Sequence, residues 1–268
     1  MDLRTKDLSL DLGGRRILEG VSIQATAGEV TAIVGPNGSG KTSLLKCLTG
    51  EYRYSGTISL NGADINSYAP AELALWRAVL PQAIELSFPF TVHEVVSLAL
   101  TSGVAMDKGR ASDDLVQRAL ERVGLGGYAP RRYQTLSGGE QQRVQLARVL
   151  LQVWESTLYD LPRWLFLDEP VSALDIAHQL LVIDIAQDFA RKGGGVIAVM
   201  HDLNLTSMFA DQVLLMQGGQ VAASGAAEEV LADEPLSRAY GCAVVTRQAP
   251  ATGAWLLPQV ANGRAFAP

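Results

Sequence analysis

Eight residues in the N-terminal part of the chain, Gly35 to Thr42 (GPNGSGKT), have the types and spacing of a phosphate-binding loop. The apolar run 30–34 before them predicts a strand, and the pattern at 44–48 predicts a helix. Between a strand and a helix, glycines let backbone N–H groups point into an anion-sized hollow at the positive helix end. Lys41 would reach the β- and γ-phosphates of a nucleotide, and the Thr42 hydroxyl would ligate Mg²⁺. The candidate phosphate-binding residues are Gly35, Pro36, Asn37, Gly38, Ser39, Gly40, Lys41, Thr42 and Ser43.

Two adjacent carboxylates, Asp168 and Glu169, follow the apolar run 164–167. That run predicts a strand, and the carboxyl edge of a sheet is where ligands bind in open α/β folds. Asp168 would hold Mg²⁺ directly or through water, and Glu169 would orient or deprotonate an attacking water molecule. Taken alone, Asp-Glu-Pro after a strand is also ordinary turn chemistry, just as the first motif alone would fit a glycine-rich turn. The presence of both in one chain favours the catalytic interpretation.

A third motif, Ser137-Gly138-Gly139, precedes a predicted helix. A helix N-terminus with glycines and a hydroxyl is another anion site. By itself the motif would equally fit a helix cap.

Together the three motifs resemble the ABC ATPases, and the resemblance extends over nearly the whole chain, to about Val245. It implies that 136–141 is the signature motif, 172–175 the D-loop, Gln82 the Q-loop residue and His201 the switch histidine. The implied cofactors are ATP and Mg²⁺. The implied catalytic residues are Glu169, His201 and Gln82; those implied for the metal are Thr42, Gln82 and Asp168; Ser137, Gly138, Gly139 and Asp168 join the nucleotide-binding set.

The elements that must position these motifs predict an α/β fold. The runs 164–167 and 196–200 are apolar on both faces, as in central strands of a covered parallel sheet. We expect a P-loop NTPase (ABC ATPase) core with an N-terminal antiparallel β layer and an inserted helical subdomain at about 83–150, mostly helical from residue 83. A late hairpin is predicted at 213–223, within a single domain 1–268 that ends in a loosely packed tail, 249–268.

Composition excludes several other functions. The net charge of −6 over 268 residues speaks against a nucleic-acid-binding protein, which would present a basic face. Cys47 and Cys242 cannot build a disulfide framework, and three scattered histidines do not suggest a metal cluster. Cys47 is expected in the core, and His93 and His178 at the surface. We expect no secretory signal, because the charges at residues 2–4 are not followed by an apolar segment, and no apolar run approaches the roughly 18 residues that cross a bilayer.

One feature departs from the ABC ATPase pattern. The family usually has an aromatic residue near the N-terminus that stacks on adenine, and the stretch 12–17 contains none. Because a guanidinium plane can stack on a base, Arg15 or Arg16 is a candidate. The alternative is a base held mainly by apolar contact.

The resemblance implies a transport ATPase that works as a head-to-tail dimer of identical copies. A separate subunit resembles the importer arrangement, with a membrane permease dimer as partner and location at the cytoplasmic face of the bacterial inner membrane. Phe88 and Phe90 beside the Q-loop are either core residues or a docking groove for the permease. With the long connection 152–163, this segment resembles the haem-import ATPases of Gram-negative bacteria, which implies indirect partnership with a periplasmic haem-binding protein.

Three alternatives remain at this point. A ferric siderophore or cobalamin could be the cargo instead of haem. A non-transport ABC ATPase often carries tandem ATPase domains or a coiled-coil insertion, and the sequence has one copy of each motif and no sustained heptads. A phosphate-binding module without turnover would be expected to lose Glu169.

Overall fold

A computed structural model describes residues 1–82, 86, 88–101, 110–249 and 251–254, with the side chains of 110–112 excepted. In chain order its strands are β1 (Asp2–Leu12), β2 (Arg15–Val21), β3 (Gln24–Thr26), β4 (Val30–Val34), β5 (Ser55–Leu60), β6 (Ala63–Asp64), β7 (Arg77–Leu80), β8 (Thr157–Leu158), β9 (Leu161–Pro162), β10 (Trp164–Asp168), β11 (Gly195–Val199), β12 (Gln212–Gln217) and β13 (Gln220–Ala226). The α-helices are α1 (Lys41–Leu48), α2 (Pro70–Trp76), α3 (Val92–Ser97), α4 (Arg110–Arg122), α5 (Gly138–Gln152), α6 (Ile176–Arg191), α7 (Leu203–Phe209), α8 (Ala227–Val230) and α9 (Asp233–Tyr240). Short 3-10 turns lie at Ile65–Ser67, Leu98–Thr101 and Tyr133–Thr135.

The central sheet has the order β13-β12-β4-β11-β10-β7. Its strands from β12 to β7 are parallel, and β13 closes one edge antiparallel to β12. Both faces of the sheet are covered: in β10, Trp164 and Phe166 belong to one buried cluster, and Leu165 and Leu167 belong to the other. This explains why the strand sequence is apolar at every position. The carboxyl ends of these strands form the edge where the motifs converge.

The N-terminal layer is a separate antiparallel sheet with the order β2-β1-β5-β6, and β3 pairs with the other end of β1. Leu3, Leu8 and Leu10 of β1 are buried, as are Ile58 and Leu60 of β5. They share one cluster with α1 and one face of the central sheet. The β layer therefore covers the face from which the phosphate loop emerges.

Helices α3, α4 and α5 follow β7 and precede β10 in the sequence, and they pack on one another. Thr91 caps α3, and its backbone and hydroxyl both bond to Glu94, which forms a capping box. The Arg143 guanidinium of α5 donates to the carbonyl oxygens of Val123 and Gly124 at 3.1 and 3.2 Å. These bonds tie the end of α4 to the helix that begins at the third motif.

The predicted α/β fold with its β layer and helical insertion is confirmed, and so is the hairpin, formed by β12 and β13. Within the region from about residue 83 that was predicted to be mostly helical, residues 86 and 88–91 are not helical. Pro89 gives the reason, because a proline disfavours helical backbone at the preceding residue. Residues 83–85 and 87 lie outside the described residues.

Several smaller predictions have outcomes too. The connection 152–163 contains the hairpin β8–β9, held to the β layer by the Asn61 amide, which donates to the Pro162 carbonyl at 2.8 Å. Cys47 is buried, Cys242 is exposed, and His93 and His178 are partly exposed. Within the described part of the chain, no helix has the length and apolar character of a membrane span, and no group of three acidic, histidine or cysteine residues could hold a metal. Most of the predicted tail, 250 and 255–268, lies outside the described residues, and the subdomain bounds stay a prediction.

Candidate nucleotide site

The phosphate loop joins β4 to α1 and is shaped by two glycines that have no room for a side chain. A Cβ at Gly35 would lie 2.2 Å from the Met216 carbonyl oxygen of β12, and Gly40 has φ 100° with Leu18 2.8 Å from a built Cβ. The Gly219 amide bonds the Ser39 carbonyl at 3.1 Å, which fixes the turn between β12 and β13 against the loop. Pro36, Asn37 and Gly38 are partly or fully exposed at its crest. One side of the loop is therefore packed against β2 and β12, and the other side is exposed to solvent.

Lys41 begins α1, and its ammonium group is folded into the loop. Nζ donates to the carbonyl oxygens of Gly35 and Pro36 at 2.9 and 3.0 Å. Burial lowers the pKa of Lys41, and the nearby charges of Glu169 and Asp168 partly offset this. The site thus holds a desolvated cation at a helix N-terminus, where a phosphate would be favoured.

Asp168 ends β10 and faces the phosphate loop. Its Oδ1 accepts from the Thr42 hydroxyl at 3.3 Å. The side chain is buried, and this burial raises the pKa of Asp168, although the Thr42 bond opposes the shift. Two side-chain oxygens from different elements therefore lie side by side at the carboxyl edge of the sheet.

Glu169 is the centre of a hydrogen-bond network. One carboxylate oxygen lies 2.6 Å from His201 Nε2, and the other accepts from Gln82 Nε2 at 2.9 Å. Its φ of 50° is unusual for a residue other than glycine, and its amide bonds the Val199 carbonyl of β11 at 3.1 Å. The structure thus brings the three predicted catalytic residues, Gln82, Glu169 and His201, into direct contact.

The Ser137 turn, defined as residues 137–139, is built differently. Ser137 caps α5, and its hydroxyl and amide both bond to the Glu140 carboxylate at 2.9 and 2.8 Å. Ser137 and Gly138 are exposed, and a Cβ at Gly139 would lie 3.0 Å from the Ala173 carbonyl oxygen of the D-loop. Among the residues described, no hydrogen bond joins this turn to the phosphate loop. The structure therefore does not bring the predicted signature residues to the phosphate loop of the same chain.

The two arginines that were predicted to contact adenine have different environments. Arg16 Nε donates to Asp11 at 2.8 Å, which pairs its guanidinium with a carboxylate on the neighbouring strand. Arg15 is exposed at the start of β2, and Leu12 exposes 38% of its surface at the end of β1. Both interpretations therefore stay open: Arg15 could stack on the base, and Leu12 could make an apolar contact with it.

The segment 88–91 next to Gln82 is held by backbone bonds to the loop before α5. The Tyr133 amide donates to the Phe90 carbonyl at 2.9 Å, and Thr91 bridges to Arg132. Phe88 exposes 69% of its surface, whereas Phe90 packs against the core of the helical region. The two rings therefore have different environments: Phe90 is partly buried against the core, whereas Phe88 is a surface residue.

Sequence reasoning missed two residues that contact the site. The Gln142 amide donates to the Glu169 carbonyl, and Tyr240 of α9 bonds the backbone of Gly35. Burial raises the pKa of Tyr240, and the Gly35 contact partly offsets this. The position of Gln142, one helical turn after the Ser137 turn, was a usable signal. No signal marked Tyr240, because its contact depends on how α9 packs beside β12.

Comparison with known proteins gives a consistent result. Residues 18–172 match the ABC transporter family. The chain is 54% identical to the hemin import ATP-binding protein HmuV of Mesorhizobium japonicum, over 96% of this chain and 98% of that protein. It is 55% identical to the protein of the same name from Jannaschia sp., over 97% and 95%.

Solved structures agree with this placement. A nucleotide-free ATP-binding cassette from an ABC transporter superposes with a TM-score of 0.76 at 25% identity, over 90% of this chain and 99% of that chain. An ATP-binding cassette in its ADP conformation gives 0.75 at 25% identity, over 90% and 98%. The chain belongs to the ABC transporter family, as an ATP-binding subunit.

Proposed function

We propose that this chain is the ATP-hydrolysing subunit of a transporter that imports haem through a membrane permease. The observation that supports hydrolysis is the position of Glu169, which bonds both His201 and Gln82 beside the phosphate loop. The support for haem is that two hemin import ATP-binding proteins are 54–55% identical to this chain over nearly their whole length. The cargo does not contact this subunit, so the two supports are independent.

In the proposed site, the phosphate loop holds the phosphates of ATP through its backbone amides. Lys41 exchanges its bonds to the Gly35 and Pro36 carbonyls for bonds to the β- and γ-phosphates. This exchange is favourable because the ammonium group is partly desolvated before the nucleotide arrives.

The residues present fit a magnesium ion. Thr42 Oγ1 and Asp168 Oδ1 are hard oxygen ligands 3.3 Å apart, and Mg²⁺ is usually bound by one or two protein ligands together with phosphates and water. The Gln82 side-chain oxygen would complete the protein's share, since its nitrogen already bonds Glu169. Bound there, the ion would neutralise charge that develops on the phosphate oxygens.

Glu169 then acts as the general base. Its carboxylate orients a water molecule toward the γ-phosphate and accepts a proton from it. His201 Nε2 holds the carboxylate from one side and Gln82 from the other, so the base keeps one orientation. Loss of either contact would leave the base mobile rather than absent.

The active unit is proposed to be a head-to-tail dimer of two copies, with two composite sites. Ser137, Gly138 and Gly139 present a hydroxyl and a helix N-terminus to solvent and bond no phosphate-loop residue among those described. Such a helix end suits the anionic phosphates of ATP bound to the other copy. Ile176, 44% exposed just after the D-loop, would lie in the same interface.

The permease is proposed to dock at Phe88. This ring is exposed, adjoins Gln82 in sequence, and is anchored by the backbone bonds of 88–91. A large apolar ring at the centre of an interface is a typical anchor. The subunit would thereby lie at the cytoplasmic face of the bacterial inner membrane, with a periplasmic haem-binding protein delivering cargo to the far side.

Reconstitution of the whole transporter in liposomes tests the function. With ATP on the side of this subunit, haem loaded on its binding protein should stimulate ATP hydrolysis and accumulate inside. A ferric siderophore or cobalamin should do neither. If haem has no effect and a siderophore is carried, the cargo is wrong and the ATPase assignment stands; if ATP hydrolysis never responds to a cargo, the transport function is wrong.

A further inference from the structure

The side chain of Gln142 connects the helix of the Ser137 turn to the proposed catalytic base. Gln142 lies in α5, five residues after the cap Ser137, and is half-buried. Its Nε2 donates to the backbone carbonyl of Glu169 at 3.2 Å. Its Oε1 is buried and has no hydrogen-bond partner among the described residues, so the amide nitrogen makes the bond that orients this side chain.

The backbone that Gln142 contacts is held in a conformation that is unfavourable for a residue other than glycine. Glu169 has φ 50°, a region that costs roughly 1–3 kcal/mol for a residue other than glycine. Such a conformation persists only when its surroundings hold it. The Glu169 carbonyl accepts from Gln142 Nε2, and from the Ser172 hydroxyl at 3.2 Å and the Ser172 amide at 3.4 Å.

The two residues that donate to this carbonyl belong to different parts of the structure. Ser172 lies three residues after Glu169 and belongs to the same turn, so its bonds move with Glu169. Gln142 belongs to α5, which is anchored elsewhere by the bond of Arg143 to Val123. Gln142 is therefore the side chain that ties the Glu169 carbonyl itself to the helical region, beside the backbone contact of Gly139 with Ala173.

We propose that Gln142 is a positioning residue that sets the orientation of Glu169 in its own chain and links that orientation to the helix carrying the Ser137 turn. This inference rests on the proposed function for the role of Glu169. In a head-to-tail dimer the Ser137 turn touches nucleotide on the partner, while Glu169 acts on nucleotide in its own phosphate loop. Gln142 then connects the two composite sites through one side chain.

The first test is Gln142→Met, which keeps the length of the side chain and removes the donor. We expect kcat for ATP to fall roughly five- to tenfold, as for one lost hydrogen bond, with KM nearly unchanged. Gln145→Met is the matched control: Gln145 is more deeply buried in the same helix and bonds the Tyr133 hydroxyl at 3.0 Å. It should lower thermal stability and leave kcat unchanged.

The second test separates positioning from a general weakening of α5. Mixed dimers carrying two different affinity tags contain one Lys41→Ala copy, so that the other copy provides the single working phosphate loop and Glu169. Gln142→Met placed in the copy with the working Glu169 should slow hydrolysis five- to tenfold. The same change in the Lys41→Ala copy, which supplies only the Ser137 turn, should slow it less than twofold.

Two results would overturn the inference. One is a wild-type kcat for the Gln142→Met homodimer. The other is an equal or larger loss when the change lies only in the Lys41→Ala copy, because that result would place its effect on the Ser137 turn. A monomer with full activity would contradict the composite site instead, and Gln142→Met would still have to slow that monomer.

Discussion

The carboxyl edge of the central sheet and the Ser137 turn both present a helix N-terminus that suits an anion. They differ in the burial and the hydrogen bonding of their side chains. At the edge, Lys41, Asp168 and Glu169 already bond other residues of the chain, and the first two are buried. At the turn, Ser137 and Gly138 are exposed, and the hydrogen bonds described for Ser137 stay within its own helix, with Glu140 in the capping box and with the Gln141 amide. The first region, the phosphate loop with Asp168 and Glu169, is called the cradle below; its side chains are already held in place. The second region is an exposed helix N-terminus.

The two halves of the proposed composite site therefore differ in how many hydrogen bonds their side chains already make within the chain. A cradle that must hold Mg²⁺ and phosphate before reaction needs groups fixed in advance. A helix end that closes over nucleotide on another copy needs only to stay folded and accessible. The following experiments disturb each region in turn.

Glu169→Gln should have the largest effect. The amide keeps the shape of the side chain and removes the charge that accepts the water's proton, so hydrolysis should fall about 10²–10⁴-fold. ATP binding should survive, and gel filtration should detect an ATP-trapped dimer. Lys41→Ala is the contrasting variant, because it should weaken binding of a fluorescent ATP analogue directly. Wild-type turnover by Glu169→Gln would remove Glu169 from its proposed role.

Ser137→Arg should come next, with hydrolysis reduced roughly 10²-fold, as for the loss of a transition-state donor. The long cation would block closure of the turn over the partner's nucleotide. Because the turn is exposed, a single chain should still bind the ATP analogue with wild-type affinity. Ser137→Ala controls for the cap, whose loss costs about 1 kcal/mol of stability. Weakened binding of the analogue to the isolated Ser137→Arg chain would place the turn in the cis site.

Much of this comparison could be predicted from the sequence, because motifs at strand ends fix where side chains emerge. The edge position of Asp168 and Glu169 follows from the apolar run of β10 and the phosphate loop that follows β4. The position of Gln142 one helical turn after the Ser137 turn places it near the site, but its bond to the Glu169 carbonyl could not be predicted, because that bond depends on how α5 packs beside the end of β10. The irregular segment 88–91 lies within the region that was predicted only as mostly helical, and Pro89 was the signal that the helix begins after it.

A smaller effect concerns pH and the metal. Burial raises the pKa of Asp168, so as pH falls this carboxylate is protonated earlier than an ordinary aspartate, and the proton competes with Mg²⁺. The Mg²⁺ concentration for half-maximal ATP binding should therefore rise several-fold as pH is lowered. The charge of Glu169 contributes to the raised pKa, so in Glu169→Gln this rise should begin at lower pH. An unchanged Mg²⁺ requirement across the acid range would contradict the ligand role of Asp168.

The smallest effect on the isolated subunit is expected at Phe88. This ring is 69% exposed, so Phe88→Ser should change the free energy of unfolding by less than about 0.5 kcal/mol and leave basal hydrolysis intact. Phe90 packs against the core, so Phe90→Ser should cost about 1–3 kcal/mol in urea unfolding. In the whole transporter, Phe88→Ser should weaken binding to the permease. Normal permease binding by Phe88→Ser would place the docking surface elsewhere.

Mixing two inactive variants tests the central claim that the cradle and the Ser137 turn complete each other between copies. Lys41→Ala lacks a working cradle, and Ser137→Arg lacks a working turn. Each alone should be nearly inactive, whereas a purified mixed dimer should contain one intact composite site and recover up to about half of the wild-type rate of hydrolysis. A mixed dimer that stays as inactive as its parents, or a monomer that hydrolyses ATP at the full rate at any dilution, would contradict the account.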